Sequence, residues 1–373
     1  MGRLATRLRL SYELAARTAG EAAARAGDLV REQTVEVPPG VSPPGLERRV
    51  MGRVERIERM GRRRFRADVS YAPEVVGESF GQLWNLLYGN LSLQRGVRLA
   101  AAAWPAALLR RLPGPRHGLA GVRAACGAPA DRALLCGVLK PLGLGPRELA
   151  RRCHELASGG VDLVKDDHNL ADQRWAAFSE RAARCQEAVE RANARRRGST
   201  LYLPHLLGGG EELRARLERV KSLGCRAALV TPLLIGAEAL AWLARRSGLV
   251  LLAHPALAGA FFSRERGIAP ELLLGDLFRL GGADGVVYPN AGGRFPFSQA
   301  LCRRIHDRLR APLGPVRPAF PVLGGGIDAA RLGHWLRRYG PDTIFLIGGS
   351  IYLHGRRRDL RGAAARLRAV VEA

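Results

Sequence analysis

"LLCGVLKPLGLGPRELARRCHELASGGVDLVK", residues 134–165, reads as a strand, a helix and a second strand. Residues 134–140 form an apolar run, 146–160 carry a helical pattern closed by Gly159 and Gly160, and 161–165 are apolar again. Continuous apolar strands are those buried on both faces, as in parallel sheets covered by helices. The beat recurs at "TLYLP" (200–204), "AALVTP" (227–232), "LVLLAH" (249–254), "GVVYP" (285–289), "FPVLG" (320–324) and "IFLIG" (344–348). Eight strand–helix units over roughly 240 residues predict an α/β fold of the (β/α)8, or TIM-barrel, type. An open doubly wound sheet would need a glycine-rich turn after its first strand, and "KPLGLG" (140–145) is a poor match.

The preceding residues follow another pattern. "RLATRLRLSYEL" (3–14) alternates like a strand, and "AARTAGEAAARAGDLVREQ" (15–33) reads as a helix. "RVERIERMGRRRFRADVSYA" (53–72) reads as two strands around a turn, and "SFGQLWNLLYGNLSL" (79–93) as a helix running into a loop. We expect an α+β domain of ferredoxin-like type over 1–125 and the barrel over 126–373, joined through the Pro/Gly/Ala-rich stretch 110–132.

Composition narrows the function. Net charge is +25, yet only three of the 59 basic residues are lysine (Lys140, Lys165, Lys221), and few aromatics lie among the arginines. A stacking platform for nucleic acid is therefore not expected, and a solvated basic surface is. No run of about 18 apolar residues is present to span a membrane, and the first residues lack the apolar region of a secretory signal, so a cytoplasmic location is expected. Six scattered cysteines without CxxC pairs read as reduced, packed thiols. Arginine cannot be deprotonated at working pH and forms neither a carbamate nor a Schiff base. Lysine kept in so arginine-rich a chain therefore points to a need for an amine.

Barrel active sites lie at the carboxyl ends of the strands. Those positions hold Lys140 after the first run and Lys165, Asp167 and His168 after the second. His254 follows the fifth run, Asn290 and Arg294 the sixth, Gly324, Gly325 and Gly326 the seventh, and Gly348 and Gly349 the eighth. Backbone N–H groups of the last two glycine clusters can approach an anion closely, which points to a phosphorylated small substrate. Arg294 or Arg266 could hold a second anionic group. In "KDDH" (165–168) the carboxylates at i and i+1 face different ways, so both do not serve one Mg²⁺ ion. A carbamate on Lys165 would supply another carboxylate.

Together these residues resemble the RuBisCO large-chain family. The likeness is carried by "GVLKPLGLG" (137–145), "GGVDLVKDDHNLADQ" (159–173), "FPVLGGGID" (320–328) and "LIGGS" (346–350), and extends to "YGN" (88–90) and "EQT" (32–34). It implies that Lys165 becomes a CO2-derived carbamate and binds Mg²⁺ together with Asp167. The departures are as informative. His168 stands where the family has glutamate, Leu142 where the carboxylases have lysine, and Pro255 where they have a phosphate-binding arginine. No lysine follows Lys221, so the carboxylases' mobile-loop lysine after the sixth strand is missing.

The chain thus resembles the RuBisCO-like, form IV branch, which does not fix CO2. That resemblance implies Mg²⁺-assisted enolate chemistry on a phosphorylated ketose or oxo-sugar acid, with Lys140, desolvated beneath the ion, as acid or base. Decarboxylation of a branched oxo-acid phosphate is the first expectation. Isomerisation or enolisation of a methylthio-sugar phosphate is the alternative, although the diketo-methylthiopentyl phosphate enolases take their base from a first-domain lysine that is lacking here. A decayed binding protein is a further alternative. The resemblance also implies a homodimer, with Glu32 and Asn90 reaching the partner's barrel mouth.

Overall fold

The computed structural model describes residues 7–353 and 359–373. β1 (Leu8–Ala15) turns Leu8, Leu10, Tyr12 and Leu14 inward at the two-residue period of a strand. The helix Ala19–Glu32 follows, capped where the Thr18 hydroxyl accepts the Glu21 N–H and Glu21 accepts the Arg17 N–H. Then come β2 (Arg53–Gly61), β3 (Arg64–Tyr71), a helix Phe80–Tyr88 capped by Ser79, and β4 (Val97–Ala103). The antiparallel strands lie in the order β4-β1-β3-β2, so the βαββαβ unit is the ferredoxin-like arrangement read from the sequence. β4 was not foreseen: "VRLAAAA" (97–103) has Val97 as its one β-branched residue and no aromatic, so it carries little of the composition that marks strands. The connecting stretch also contains a short helix, Gly118–Cys126.

The barrel opens with β5 (Leu134–Val138) and β6 (Leu163–Lys165). β7 (Leu201–Leu203) and β8 (His205–Leu206) are two halves of one strand interrupted by Pro204, which has no N–H for the ladder. The Pro204 carbonyl nonetheless accepts the Leu229 N–H at 3.0 Å. β9 (Ala227–Val230) and β10 (Val250–Ala253) continue the ring. β11 (Gly267–Ile268) leaves it to pair with β4, adding a fifth strand to the N-terminal sheet. β12 (Gly285–Pro289), β13 (Phe320–Gly324) and β14 (Ile344–Ile347) return to β5. All barrel pairings are parallel, in the order β7-β6-β5-β14-β13-β12-β10-β9-β8.

Alternation decides which side chains reach the barrel interior. Leu134, Cys136, Val138, Leu163, Leu252, Val322 and Ile344 share one apolar cluster inside, whereas Leu135, Val164, Leu251, Leu323 and Phe345 pack outward with the helices. Counting on by twos carries Lys140, Lys165, Asp167, His254, Gly324 and Gly348 to the inner face of the mouth. Asp166 falls on the opposite face.

Candidate active site

Lys165 ends β6 and is 2% exposed, its ammonium donating to the Asp166 carbonyl at 2.7 Å. Burial is the main influence on it and holds its pKa below the ordinary lysine value. Lys140, beyond β5, lays its ammonium against the buried Asp167 carboxylate. Its side chain is 36% exposed, whereas Lys165 is buried. A Cβ added at Gly348 would stand 4.0 Å from Lys140 Cε, which brings the end of β14 beside the same lysine.

Burial pushes the Asp167 pKa up, but the Lys140 ammonium and the Asn169 N–H, donated at 3.0 Å, more than offset this and hold it below the carboxylate norm. Nδ1 of His168 lies 3.4 Å from Asp167, and the His168 ring stacks on His254 with centroids 4.3 Å apart. Burial lowers the pKa of both imidazoles; at His168 the Asp167 carboxylate opposes this without reversing it, and the neighbouring lysine charges lower both further. His254 Nδ1 accepts the Ala256 N–H at 3.2 Å, which places its proton on Nε2.

Asp166 builds the support beneath. It accepts from Tyr202 Oη at 2.8 Å, Arg181 Nε at 3.1 Å and the His205 N–H at 3.0 Å, and Asp166 and Arg181 are both fully buried. Arg181 also donates to the carbonyls of Ala171 and Ala176, which pins the loop after β6. His205 went unnoticed in the sequence. It stands two residues beyond Leu203 on the inner face, bonded to the Leu170 carbonyl and to Thr231 Oγ1, each at 3.0 Å. With both ring nitrogens engaged, it positions the β6 loop; burial drives its pKa down to about 4.

The loops after β13 and β14 are joined to each other. Gly325 and Gly326 have φ of +97° and +66°, and a Cβ on Gly326 would lie 2.8 Å from the Gly292 carbonyl oxygen. Ser350 Oγ donates to the Ile327 carbonyl at 2.6 Å, joining the Gly324–Gly326 loop to the one carrying Gly348 and Gly349. Arg294 is exposed, stacks over Phe295 at 5.0 Å, and its charge acts on His168. Arg266 immediately precedes β11 on the N-terminal sheet. Asn290 does not join the mouth: it is fully buried, one residue out of the inward register, 3.5 Å from Tyr339 Oη. Glu32 and Asn90 bond to each other at 2.9 Å on the N-terminal domain.

Among the described residues no three His, Cys, Asp or Glu side chains gather into a metal set. Asp167 and His168 alone give a hard cation one carboxylate, with two lysines beside it. The set fits Mg²⁺ once Lys165 is a carbamate, which replaces a positive charge with oxygen donors. Among the described residues no helix is long and apolar enough to cross a membrane.

Residues 124–373 match the family "Ribulose bisphosphate carboxylase large chain, catalytic domain". The chain is 41% identical over 370 residues to ribulose bisphosphate carboxylase-like protein 1 of Rhodopseudomonas palustris, covering 99% of this chain and 98% of that one. It is 40% identical over 347 residues to 5-methylthioribulose-1-phosphate isomerase of Rhodospirillum rubrum, covering 92% and 91% respectively. The octameric ribulose-1,5-bisphosphate carboxylase/oxygenase of Pyrococcus horikoshii superposes with a TM-score of 0.91 at 27% identity, over 99% of this chain and 88% of that one. With its barrel, its paired lysines and these relatives, the chain belongs to the RuBisCO large-chain family and groups with the RuBisCO-like, non-carboxylating proteins.

Proposed function

We propose that the protein is an isomerase or enolase of a phosphorylated ketose, moving a proton next to the substrate carbonyl. One observation carries this reading: two of the chain's three lysines converge on a single buried carboxylate, Asp167, at the ends of adjacent strands. The identity to an isomerase of methylthioribulose phosphate favours this chemistry over decarboxylation, the first expectation, for which neither named relative speaks.

Burial favours the neutral Lys165 amine, the form that adds to CO2 to give a carbamate and release a proton. Lys165 as carbamate, Asp167 and His168 would then hold Mg²⁺, which when bound polarises the substrate carbonyl as a Lewis acid. Lys140, leaning on Asp167 at the open edge of the site, is the proton carrier. His254 Nε2–H is a donor for a substrate oxygen, and its neutrality means that it donates without adding charge. The Gly324–Gly326 and Gly348–Gly349 loops take the phosphate through backbone N–H groups, with Arg294 at the rim.

A homodimer completes the site in this reading. Leu142, Trp175, Leu234, Leu257, Phe295 and Leu353 are exposed large apolar residues, and each lies in the segment that follows a barrel strand, Leu234 in the short helix Pro232–Ile235 and the others in loops. An apolar rim around a polar mouth is the mark of a surface covered by protein. The N-terminal domain of a second copy, presenting Glu32 and Asn90, is the occupant.

The test is proton and phosphorus NMR in D2O with Mg²⁺, bicarbonate and methylthioribulose phosphate. Deuterium should enter next to the carbonyl without CO2 release, and Lys165→Met and Lys140→Met should each reduce exchange by at least about 10²-fold. CO2 released from a branched 3-oxo acid phosphate, with no exchange into the sugar phosphate, would overturn the proposal in favour of decarboxylation.

A further inference from the structure

The opposite end of the barrel carries a second feature that the mouth chemistry does not use. A cleft of about 650 Å³ opens where the linker before β5, the end of the helix Ala237–Arg246 and the loop before β13 come together. Its apolar wall includes Leu112, Pro113, Pro115 and Val316, and its rim holds Arg110, Arg116, Arg245 and Arg317. All four arginines are exposed, and no acidic residue lines the cleft. Among the described residues, no carboxylate lies within 4.0 Å of the guanidinium of Arg110, Arg116 or Arg317. Arg245 has one loose ion pair, Glu238 at 3.9 Å, in which both partners are exposed, and it donates to the Arg111 carbonyl at 3.4 Å.

Buried polar groups hold the cleft open. Arg279, 1% exposed, donates to the carbonyls of Arg308, Ala311, Val316 and Arg317 at 2.8–2.9 Å, which fixes one wall from behind. Asp284, fully buried, accepts the His117 and Gly118 N–H groups at 2.7 and 2.8 Å, and Gly114 N–H donates to the Leu280 carbonyl at 3.1 Å. These bonds fix the other wall, where Pro113 and Pro115 also restrict the backbone. Arg317 reaches across to the Arg116 carbonyl and ties the walls together. A cleft of this size with fixed walls could receive a small molecule without rearranging.

We infer that this cleft binds a small metabolite bearing two phosphate groups. Four exposed arginines lining one cleft, with little or no neutralisation by carboxylates, call for an anion of more than one charge, and planar forks suit phosphate oxygens. No aromatic side chain lines the cleft, so there is no platform for a nucleobase. The ligand class is therefore a diphosphate or a sugar bisphosphate, bound at the amino ends of the barrel strands, far from the catalytic loops.

Calorimetric titration of the full chain at fixed ionic strength tests this, with inorganic pyrophosphate, fructose bisphosphate and orthophosphate as probes. One of the first two should bind at least about tenfold more tightly than orthophosphate, and which one does so separates a diphosphate from a sugar bisphosphate. Arg110→Gln/Arg245→Gln leaves the Arg317 tie between the walls intact, and it should weaken that binding at least about tenfold. Arg62→Gln/Arg63→Gln, on the exposed turn between β2 and β3, and Arg294→Gln at the mouth should leave it unchanged. Equal weakening by Arg62→Gln/Arg63→Gln would mean diffuse attraction to a basic surface and overturn the inference. So would loss on Arg294→Gln alone, or no preference for two phosphates over one.

Discussion

Replacing His306 by glutamine should flatten the response of the fold to mild acid, and the size of the effect follows from burial. His306 lies on the helix Gln299–Arg310, fully buried, with Nε2 3.2 Å from Thr343 Oγ1 and Nδ1 3.4 Å from Asp307. Desolvation lowers its pKa from 6.5 to about 4. A base with a folded pKa below its unfolded one binds fewer protons when folded, so stability is complete above pH 6.5 and declines as the pH falls towards 4. At pH 5 the unfolded imidazole is almost wholly protonated and the folded one about one-tenth, a linkage cost of about 2 kcal/mol. His205, shifted to about 4 by burial in the same way, carries a similar cost. Glu148 loses its contribution in a lower window, from 4.5 towards about 2, where hydrogen bonds from Arg151 hold it. Histidine and carboxylate effects therefore separate between pH 7.5 and 5. Urea unfolding of wild type and His306→Gln at these two pH values should show the variant losing about 2 kcal/mol less, or a melting point that falls by about 2–4 °C less. Equal losses would refute the argument that His306 is neutral because it is buried.

Two further perturbations test the support of the site. Arg181→Met strips the fully buried Asp166 of its cation and frees the Ala171 and Ala176 carbonyls, and it should destabilise the fold by about 3–5 kcal/mol in urea titrations; a loss below about 1 kcal/mol would show that the pair is not needed. Gly326→Ala puts a Cβ 2.8 Å from the Gly292 oxygen at a φ of +66°, and it should cost about 1–3 kcal/mol while raising KM for the phosphorylated substrate more than it lowers kcat.

Much of this was legible in the chain because a parallel barrel writes its strands as short apolar runs, and because lysine is rare enough here to be informative. That second signal has a limit. Lys221 is an exposed helical lysine 3.5 Å from Glu218, with nothing around it to distinguish it from a surface arginine. What set Lys140 and Lys165 apart was their place at strand ends, not their scarcity alone. His205 was missed because Pro204 breaks its strand and hides the period that carries it inward. Asn290 was misplaced because it lies one residue beyond β12, where a reading by proximity to the strand end ignores which face comes next. β11 was invisible for another reason: two residues of barrel sequence joining the N-terminal sheet leave no local pattern.

The alternation also explains why His168 is the tolerable departure in "KDDH". Positions 165 and 167 share the inward register of Leu163 and are fixed by the sheet and by the Asp166–Arg181 support between them. Position 168 has the opposite parity and reaches the mouth only because the chain has left the strand, where stacking on His254 holds its ring. A donor there is the one the barrel constrains least. Exchanging glutamate for histidine at 168 removes a negative charge from the site but leaves in place Lys165 and Asp167, the two groups whose positions the fold dictates.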